Sequence, residues 1–281
     1  MRARVIVTGA TGLLGPYILD AARAFGRCWG LARSGADICC DLTDAAAVRA
    51  AFHQIRPDAV IHSAAYTDVD GCERDPALSD RVNRLGSANV AAAMRGEGSL
   101  LYVSTDQVYP DSGGPHAEHS VAPVNVYGRS KAAGEAAVLA GHPRVAVVRT
   151  NLFGPARVPT RRSLSDFVSD ALRESRPITL FRDVLFSPLH VATFAGVLFE
   201  MLEKNVRGIF NVGSRNGMSK RDFGFLIAAH LGLPTNFVSE GDSTSVSGRA
   251  PRPRDLRMDV MRIEAALGRA MPSCDEEVRK L

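Results

Sequence analysis

Short continuous apolar runs recur through the first half of the chain, each followed by a stretch of helical periodicity. Arg4–Val7, Trp29–Ala32, Asp37–Cys40, Ala59–His62, Leu100–Val103 and Val145–Val148 read as strands. Leu13–Phe25, the stretch after Thr43, Pro76–Met94 and Val126–Leu139 read as helices. Val48, Ala51, Phe52 and Ile55 recur at the spacing of one helix face, and Thr43 is placed to cap that helix. A strand with one wet face alternates apolar and polar residues, and these strands do not. They are expected to be covered on both faces, as parallel strands joined by helices are. The predicted fold is therefore α/β, a doubly wound parallel sheet.

After about Asn151 the rhythm loosens. Pro155, Pro159, Arg161 and Arg162 mark a loop, and Ser163–Glu174 reads as a helix. In it Leu164, Phe167, Val168, Ala171 and Leu172 form a stripe expected in the core. Ile178–Phe181 and Gly208–Val212 are strand-like, and Ser219 can cap a helix running to Leu231. Gly241–Pro253, rich in Ser, Gly, Arg and Pro, reads as a surface loop.

Composition excludes several classes. Thirty-four basic against 30 acidic residues in 281 leave a formal charge of +4, too small to argue for nucleic acid or an anionic membrane. No apolar run approaches the ~18 residues of a membrane span. Gly and Thr interrupt the apolar N-terminus too early for a signal peptide, so it is read as mature protein. The five cysteines include no CxxC pair, so reduced, buried thiols in the cytoplasm are expected rather than disulfides or zinc. His116-Ala117-Glu118-His119 could offer a metal pair, but it lies in a Gly/Pro loop without an obvious third ligand and is read as solvent-facing loop; no metal is expected.

Three motifs carry chemistry. TGATGLLG places Gly9, Gly12 and Gly15 directly after the first strand. Glycines there allow a tight turn and close approach of a pyrophosphate, and the next helix offers its first N–H groups. A structural turn is the plainer alternative, less favoured at this place in an α/β chain. Tyr127 and Lys131 stand at i and i+4, on one helix face, where an ammonium can lower the phenol pKa and make it a usable acid or base. With five Tyr in 281 residues and few Lys, chance gives about 0.07 such pairs. The segment Val103–Tyr109 carries Ser104, Thr105 and Asp106 out of an apolar strand at the edge where α/β sheets bind ligands. Asp106 is read two ways, as a group orienting substrate or sharing a proton with Tyr127, or as a cap of the following turn.

With VSTDQVY and YGRSK, the glycine motif resembles the extended short-chain dehydrogenase/reductase superfamily. His62–Glu73, Val82-Asn83, Arg149–Gly154, Phe186–Pro188 and Arg252–Asp259 are similar to its dTDP-4-dehydrorhamnose reductase-like branch. Thr150-Asn151-Leu152-Phe153-Gly154 departs from the aromatic-rich segment usual there. The resemblance implies a Rossmann domain over residues 1–155, with 187–212 returning to it, and a smaller substrate-binding domain over 156–281. It implies NADPH-dependent reduction of a 4-keto-6-deoxy sugar nucleotide, with NADP(H) preferred over NAD(H), and a homodimer. Tyr127 would be the proton donor, Lys131 would hold the nicotinamide ribose, and Thr105 would hydrogen-bond the reacting oxygen beside Asp106. Gly9, Thr11, Gly12, Leu13, Leu14 and Gly15 would surround the pyrophosphate. Asp41 and Leu42 would face the adenine, Ala64, Ala65 and Tyr66 would flank the cofactor, and Asn83 would be structural or cofactor-side. The rivals are an NAD-retaining sugar-nucleotide epimerase or dehydratase, and a non-catalytic NADP-binding regulatory subunit of the methionine adenosyltransferase type.

Cofactor choice is readable at one place. NAD enzymes of this fold carry an acid after the second strand, for the ribose hydroxyls. Here that strand ends in Arg33-Ser34, and a guanidinium with a neighbouring hydroxyl suits the 2′-phosphate of NADPH. Arg33→Ala is expected to raise the Michaelis constant for NADPH and barely change that for NADH. Steady-state titration of both cofactors checks this; equal sensitivity of the two would show that Arg33 does not read the phosphate.

Overall fold

The computed structural model describes residues 3–94, 96, 98–246 and 248–281. Among them, parallel strands build one central sheet: β1 (Ala3–Thr8), β2 (Gly26–Ala32), β3 (Ile38–Cys39), β4 (Ala59–His62), β5 (Ser99–Thr105), β6 (Val145–Thr150) and the later strand Gly208–Asn211. From one edge the order is Gly208–Asn211, β6, β5, β4, β1, β2, β3, with every pairing parallel. The chain thus winds outward from β1 in both directions, which is the doubly wound arrangement.

The pleat explains the unbroken apolar runs. Val5, Val7, Ile61, Leu101 and Val148 join a core with Ile18 and Ala22 of α1 (Gly15–Phe25). Their neighbours Ile6, Val60, Leu100, Tyr102 and Val147 join a second core on the opposite face. There they meet Val48 and Phe52 of α2 (Ala45–Ile55). Successive side chains point to opposite faces, so both parities must be apolar when helices cover both sides.

Several boundaries differ from the sequence reading. β2 starts at Gly26 rather than Trp29, because it pairs with β1 from Ala3 onward. Asp44, not Thr43, caps α2: its Oδ1 accepts from Ala46 N at 2.8 Å and Ala47 N at 3.1 Å. The expected helix over 76–94 is composite. A short α3 (Val69–Arg74) precedes α4 (Pro76–Asp80), a π-helical turn spans Arg81–Leu85, and α5 (Gly86–Ala93) completes it. Next comes α6 (Val126–Gly141), which packs on α5.

Beyond β6, α7 (Leu164–Arg173) and α8 (Val191–Glu203) are followed by α9 (Lys220–Leu231), with short sheets between them. α8 lies on α1, under the central sheet. In α7 Val168, Ala171 and Leu172 are buried, but Phe167 is 54% exposed, so the stripe is narrower than expected. Gly241–Pro253 is not wholly a surface loop: Gly241 ends a strand paired with Ile178–Phe181, and Pro253 is buried; Ser247 lies outside the described residues. Cys39 is exposed, while Cys40, Cys72 and Cys274 are buried. No helix among the described residues is long and apolar enough to cross a membrane.

Behind the sheet edge lies a buried ion pair. Arg149 of β6 grips Glu135 of α6 with Nη2–Oε2 at 2.6 Å and Nε–Oε1 at 2.9 Å, both side chains almost fully buried. Removing one partner of such a pair leaves a lone buried charge. Arg149→Met is expected to cost about 3–5 kcal/mol of stability. The double variant Glu135→Leu/Arg149→Met is expected to lose less, and urea denaturation of the three proteins measures the difference.

Candidate active site

The glycine motif forms the turn between β1 and α1. Gly9 has φ 74°, and a Cβ there would stand 2.8 Å from Ala64 N, so only glycine lets the turn close against the chain leaving β4. Gly9 N donates to Leu31 O and Gly12 N to Gly9 O, both at 2.9 Å. α1 begins at Gly15 with Leu14 at its N-cap and no side-chain cap. A helix start without a capping side chain fits phosphate oxygens, and Thr11, Leu13 and Leu14 stand in the turn leading to it. Gly35 lies beside the Thr11 methyl, with 3.8 Å from an added Cβ, so exposed Arg33 and Ser34 share this rim. Asp37, the nearest acid after β2, spends its Oδ2 on Gly30 N at 2.7 Å. Asp41 Oδ1 accepts from Thr43 N and Oγ1, both at 2.9 Å, while Leu42 is buried beneath. The residues present fit the diphosphate of a dinucleotide.

A polar chain stiffens the wall of this cleft. Thr8 Oγ1 meets His62 Nδ1 at 2.7 Å, and His62 Nε2 meets Ser87 Oγ at 3.0 Å. Burial, helped by the Lys131 charge, drops His62 to about 3, so its ring is neutral. From the π-helical turn, Asn83 accepts from Tyr66 N at 2.8 Å and donates to Tyr66 O at 3.0 Å and Ser130 Oγ at 2.9 Å. Asn83 therefore holds Ala65-Tyr66 against the helix bearing Tyr127.

Tyr127, Thr105 and Lys131 converge at the end of β5. Asn125 caps α6 by accepting from Gly128 N at 2.7 Å, and Glu73 accepts from Val126 N at 2.7 Å. A Cβ on Gly128 would stand 2.2 Å from Gln107 O, so the glycine in Tyr-Gly-Arg-Ser-Lys lets α6 touch the turn after β5. Tyr127 is 8% exposed, and its phenol is pushed well above its ordinary pKa by burial and by Asp106, with the Thr105 hydroxyl opposing. Lys131, 2% exposed, donates to Val103 O at 2.8 Å and lies 4.1 Å from the Tyr102 ring centroid. Burial lowers it to about 7, with Glu135 opposing.

Two expectations need correction here. Lys131 does not lower the Tyr127 pKa, because its ammonium is turned to the Val103 carbonyl and Tyr102 ring and burial dominates the phenol. The Asp106 side chain is not the turn cap; Thr105 is, its Oγ1 accepting from Gln107 N at 3.2 Å. Asp106, 1% exposed, instead accepts from Asn151 Nδ2 at 2.6 Å and Thr105 Oγ1 at 3.2 Å. Burial raises its carboxyl to about 6 against these bonds and Lys220.

The sequence reading gave neither Asn151 nor Lys220 a role in the site. Asn151 follows β6 and Lys220 opens α9, and no local spacing connects either to Asp106. His116 is also not solvent-facing: it is buried, stacked on Tyr109 at 4.9 Å, with Nε2 2.8 Å from Asp255 O. Glu118 Oε1 accepts from Asn211 N at 3.1 Å, and His119 is exposed.

Fold and site together define an extended short-chain dehydrogenase/reductase, an NAD(P)-dependent oxidoreductase. Within that class the chain belongs to the RmlD substrate binding domain family, whose model matches residues 3–281. It is 34% identical to dTDP-4-dehydrorhamnose reductase of Mycolicibacterium smegmatis over 261 residues, 90% of this chain and 77% of that one. It is 30% identical to methionine adenosyltransferase 2 subunit beta of Xenopus laevis, covering 93% and 81%. The crystal structure of dTDP-4-dehydrorhamnose reductase from Bacillus anthracis in complex with NADP superposes with a TM-score of 0.91 at 27% identity, covering 100% and 98%.

The geometry separates turnover from stability. Tyr127→Phe keeps the ring and is expected to lower turnover by about 10²–10⁴-fold, with cofactor binding, read by fluorescence titration, retained. Asp106 titrates near 6 in the folded chain, above the ~3.9 of an unfolded one. Its stabilising contribution is therefore present at low pH and lost as pH rises from about 4 through about 6. Asp106→Asn is expected to melt no lower than wild type at pH 7.5, while turnover falls and loses its inflection near pH 6. A clear drop in melting temperature with normal turnover would contradict this.

Proposed function

We propose that the chain reduces the ketone of a 4-keto-6-deoxy sugar nucleotide, preferring NADPH. The observation that carries this reading is the convergence of Thr105, Tyr127 and Lys131 at the sheet edge, beside the Gly9–Gly15 turn, in a chain 34% identical to a dTDP-4-dehydrorhamnose reductase. Residues 1–155, with 187–212, would hold the cofactor, and 156–281 would cover the sugar nucleotide.

A dihydronicotinamide bound at the glycine turn supplies the hydride. The chain's own residues handle the proton. The Thr105 hydroxyl and the Tyr127 phenol face the carbonyl oxygen, and as the carbon accepts hydride the phenol gives its proton to that oxygen. Its high proton affinity keeps Tyr127 protonated and loaded at neutral pH. Lys131, its ammonium bonded to Val103 O, would hold the nicotinamide ribose. Asp106, bonded to Thr105, would return a proton along the Asp106–Thr105–Tyr127 line, a role that the Asp106–Thr105 and Thr105–Tyr127 hydrogen bonds support.

A second reading, a regulatory subunit, is favoured by the likeness to methionine adenosyltransferase 2 subunit beta. The two separate in one assay. Purified protein with NADPH and dTDP-4-dehydrorhamnose, or another 4-keto-6-deoxy sugar nucleotide, is expected to consume NADPH stoichiometrically with ketone. No oxidation across such substrates, together with tight co-purification with a methionine adenosyltransferase, would overturn the reductase reading.

A further inference from the structure

The sheet places Asn151 against Asp106. Thr105 and Thr150 are the last paired residues of β5 and β6, so Asp106 and Asn151, which follow them, leave the sheet side by side. Asn151 O accepts from Leu189 N at 2.9 Å, which pins its backbone from the far side. From there Asn151 Nδ2 donates to Asp106 Oδ2 at 2.6 Å. The other carboxyl oxygen, Oδ1, stands 3.2 Å from Thr105 Oγ1. Tyr127 of α6, Lys220 of α9 and Gln107 of its own turn are the remaining groups that bear on this buried carboxyl. Burial raises it to about 6, and Asn151 is the strongest of the groups opposing.

Counting hydrogens shows what this arrangement controls. An amide N–H only donates, and a neutral carboxyl accepts better at its carbonyl oxygen than at its O–H. With Asn151 on Oδ2, the proton of the neutral acid belongs on Oδ1; on Oδ2 it would point at another N–H group. Thr105 has a single hydroxyl hydrogen. Beside the ionised carboxylate that hydrogen is held by Oδ1. Beside the neutral acid the bond reverses, and Oδ1–H donates to Thr105 Oγ1, which also accepts from Gln107 N at 3.2 Å. Both lone pairs of the hydroxyl are then filled, and its hydrogen is free for the ketone oxygen or for Tyr127.

We propose that Asn151 is a positioning residue, whose amide occupies Oδ2 of Asp106 and so keeps the carboxyl proton on Oδ1, where its one exit is through Thr105 to Tyr127. The assignment rests on the reductase reading above and adds the group that directs its proton. Once the phenol has protonated the oxygen that was the ketone's, Tyr127 is a phenolate. The Thr105 hydrogen then moves to the phenolate oxygen, the Asp106 Oδ1 proton moves to Thr105 Oγ1, and the negative charge ends on Asp106. Solvent protons reload the carboxylate before the next turnover.

Infrared titration of the full chain tests this without turnover. The protonated-carboxyl band that Asp106→Asn removes is expected to have its midpoint near pH 6 in the wild-type protein. Asn151→Leu takes away a donor that favours the ionised form, so the midpoint is expected to rise by about 1–2 pH units. Asn151→Asp keeps the shape of the side chain and sets a second carboxyl against Oδ2. It is expected to raise the midpoint as well, and it reports where the leucine variant folds poorly. A midpoint that stays or falls overturns the proposal. With a 4-keto sugar nucleotide, Asn151→Leu is expected to lower turnover about tenfold or more and to move the pH inflection together with the infrared midpoint. In an Asp106→Asn background the same substitution is expected to change turnover by less than about threefold, because no carboxyl proton is left to direct. An undiminished loss in that background assigns Asn151 a structural part alone and overturns the proposal. A raised midpoint without reduction of any such ketone supports the pinned proton and overturns the reductase reading. Ketone reduction with an unmoved midpoint keeps that reading and overturns the role of Asn151.

Discussion

The site depends on the fork between Arg149 and Glu135. It ties β6 to α6 one helical turn beyond Lys131, inside the protein, where each charge alone would be costly. Both ends are further satisfied. Ser104 Oγ donates to Glu135 Oε1 at 2.5 Å, and Arg149 Nη1 donates to Glu118 O at 2.6 Å and Tyr109 Oη at 3.1 Å. Tyr109 Oη in turn donates to Asn211 Oδ1 at 2.5 Å, and Asn211 Nδ2 donates to His116 O and Asp259 O, both at 2.9 Å. One charge pair thus locks two central strands, the edge strand, the helix carrying Tyr127 and Lys131, and the loop behind them. Fully connected buried networks of this kind hold a single geometry, because any slip strands a charge.

Desolvation sets the proton affinities in front of that scaffold. Burial raises Tyr127 and Asp106 and lowers Lys131 and His62. The effect moves acids and bases in opposite directions because it always penalises the charged form. Asp106 at about 6 and Lys131 at about 7 are brought close together and near neutrality, although their free values lie more than six units apart.

The second half of the chain works by reaching back. Arg252 pairs with Asp70 of α3, Pro251 O takes a bond from the α6 cap, and Asn151 holds Asp106. Each contact ties a late segment to the C-terminal edge of the sheet. Late segments are in this way built onto the same rigid elements as the glycine turn and Tyr127.

Much of this was legible in sequence because its causes are local. Unbroken apolar runs require a sheet covered on both faces. Gly9 and Gly128 mark close backbone approaches, and the i, i+4 spacing of Tyr127 and Lys131 places them on one helix face. Local spacing is blind to partners far along the chain. Asn151 and Lys220 are brought to Asp106 from 45 residues away and more, by strand order and by α9. His116 reads as a loop histidine until Tyr109 and Asp255 close over it. The direction of the Tyr127 shift likewise depends on burial, which the Tyr-x-x-x-Lys spacing does not report. The sequence by itself determined the α/β winding, the glycine turn and the placing of Tyr127 and Lys131 on one helix face, since neighbours along the chain suffice for those. Only the tertiary structure decided the charge states and hydrogen-bond partners of the site's side chains, since those arise from water excluded and groups assembled by distant segments.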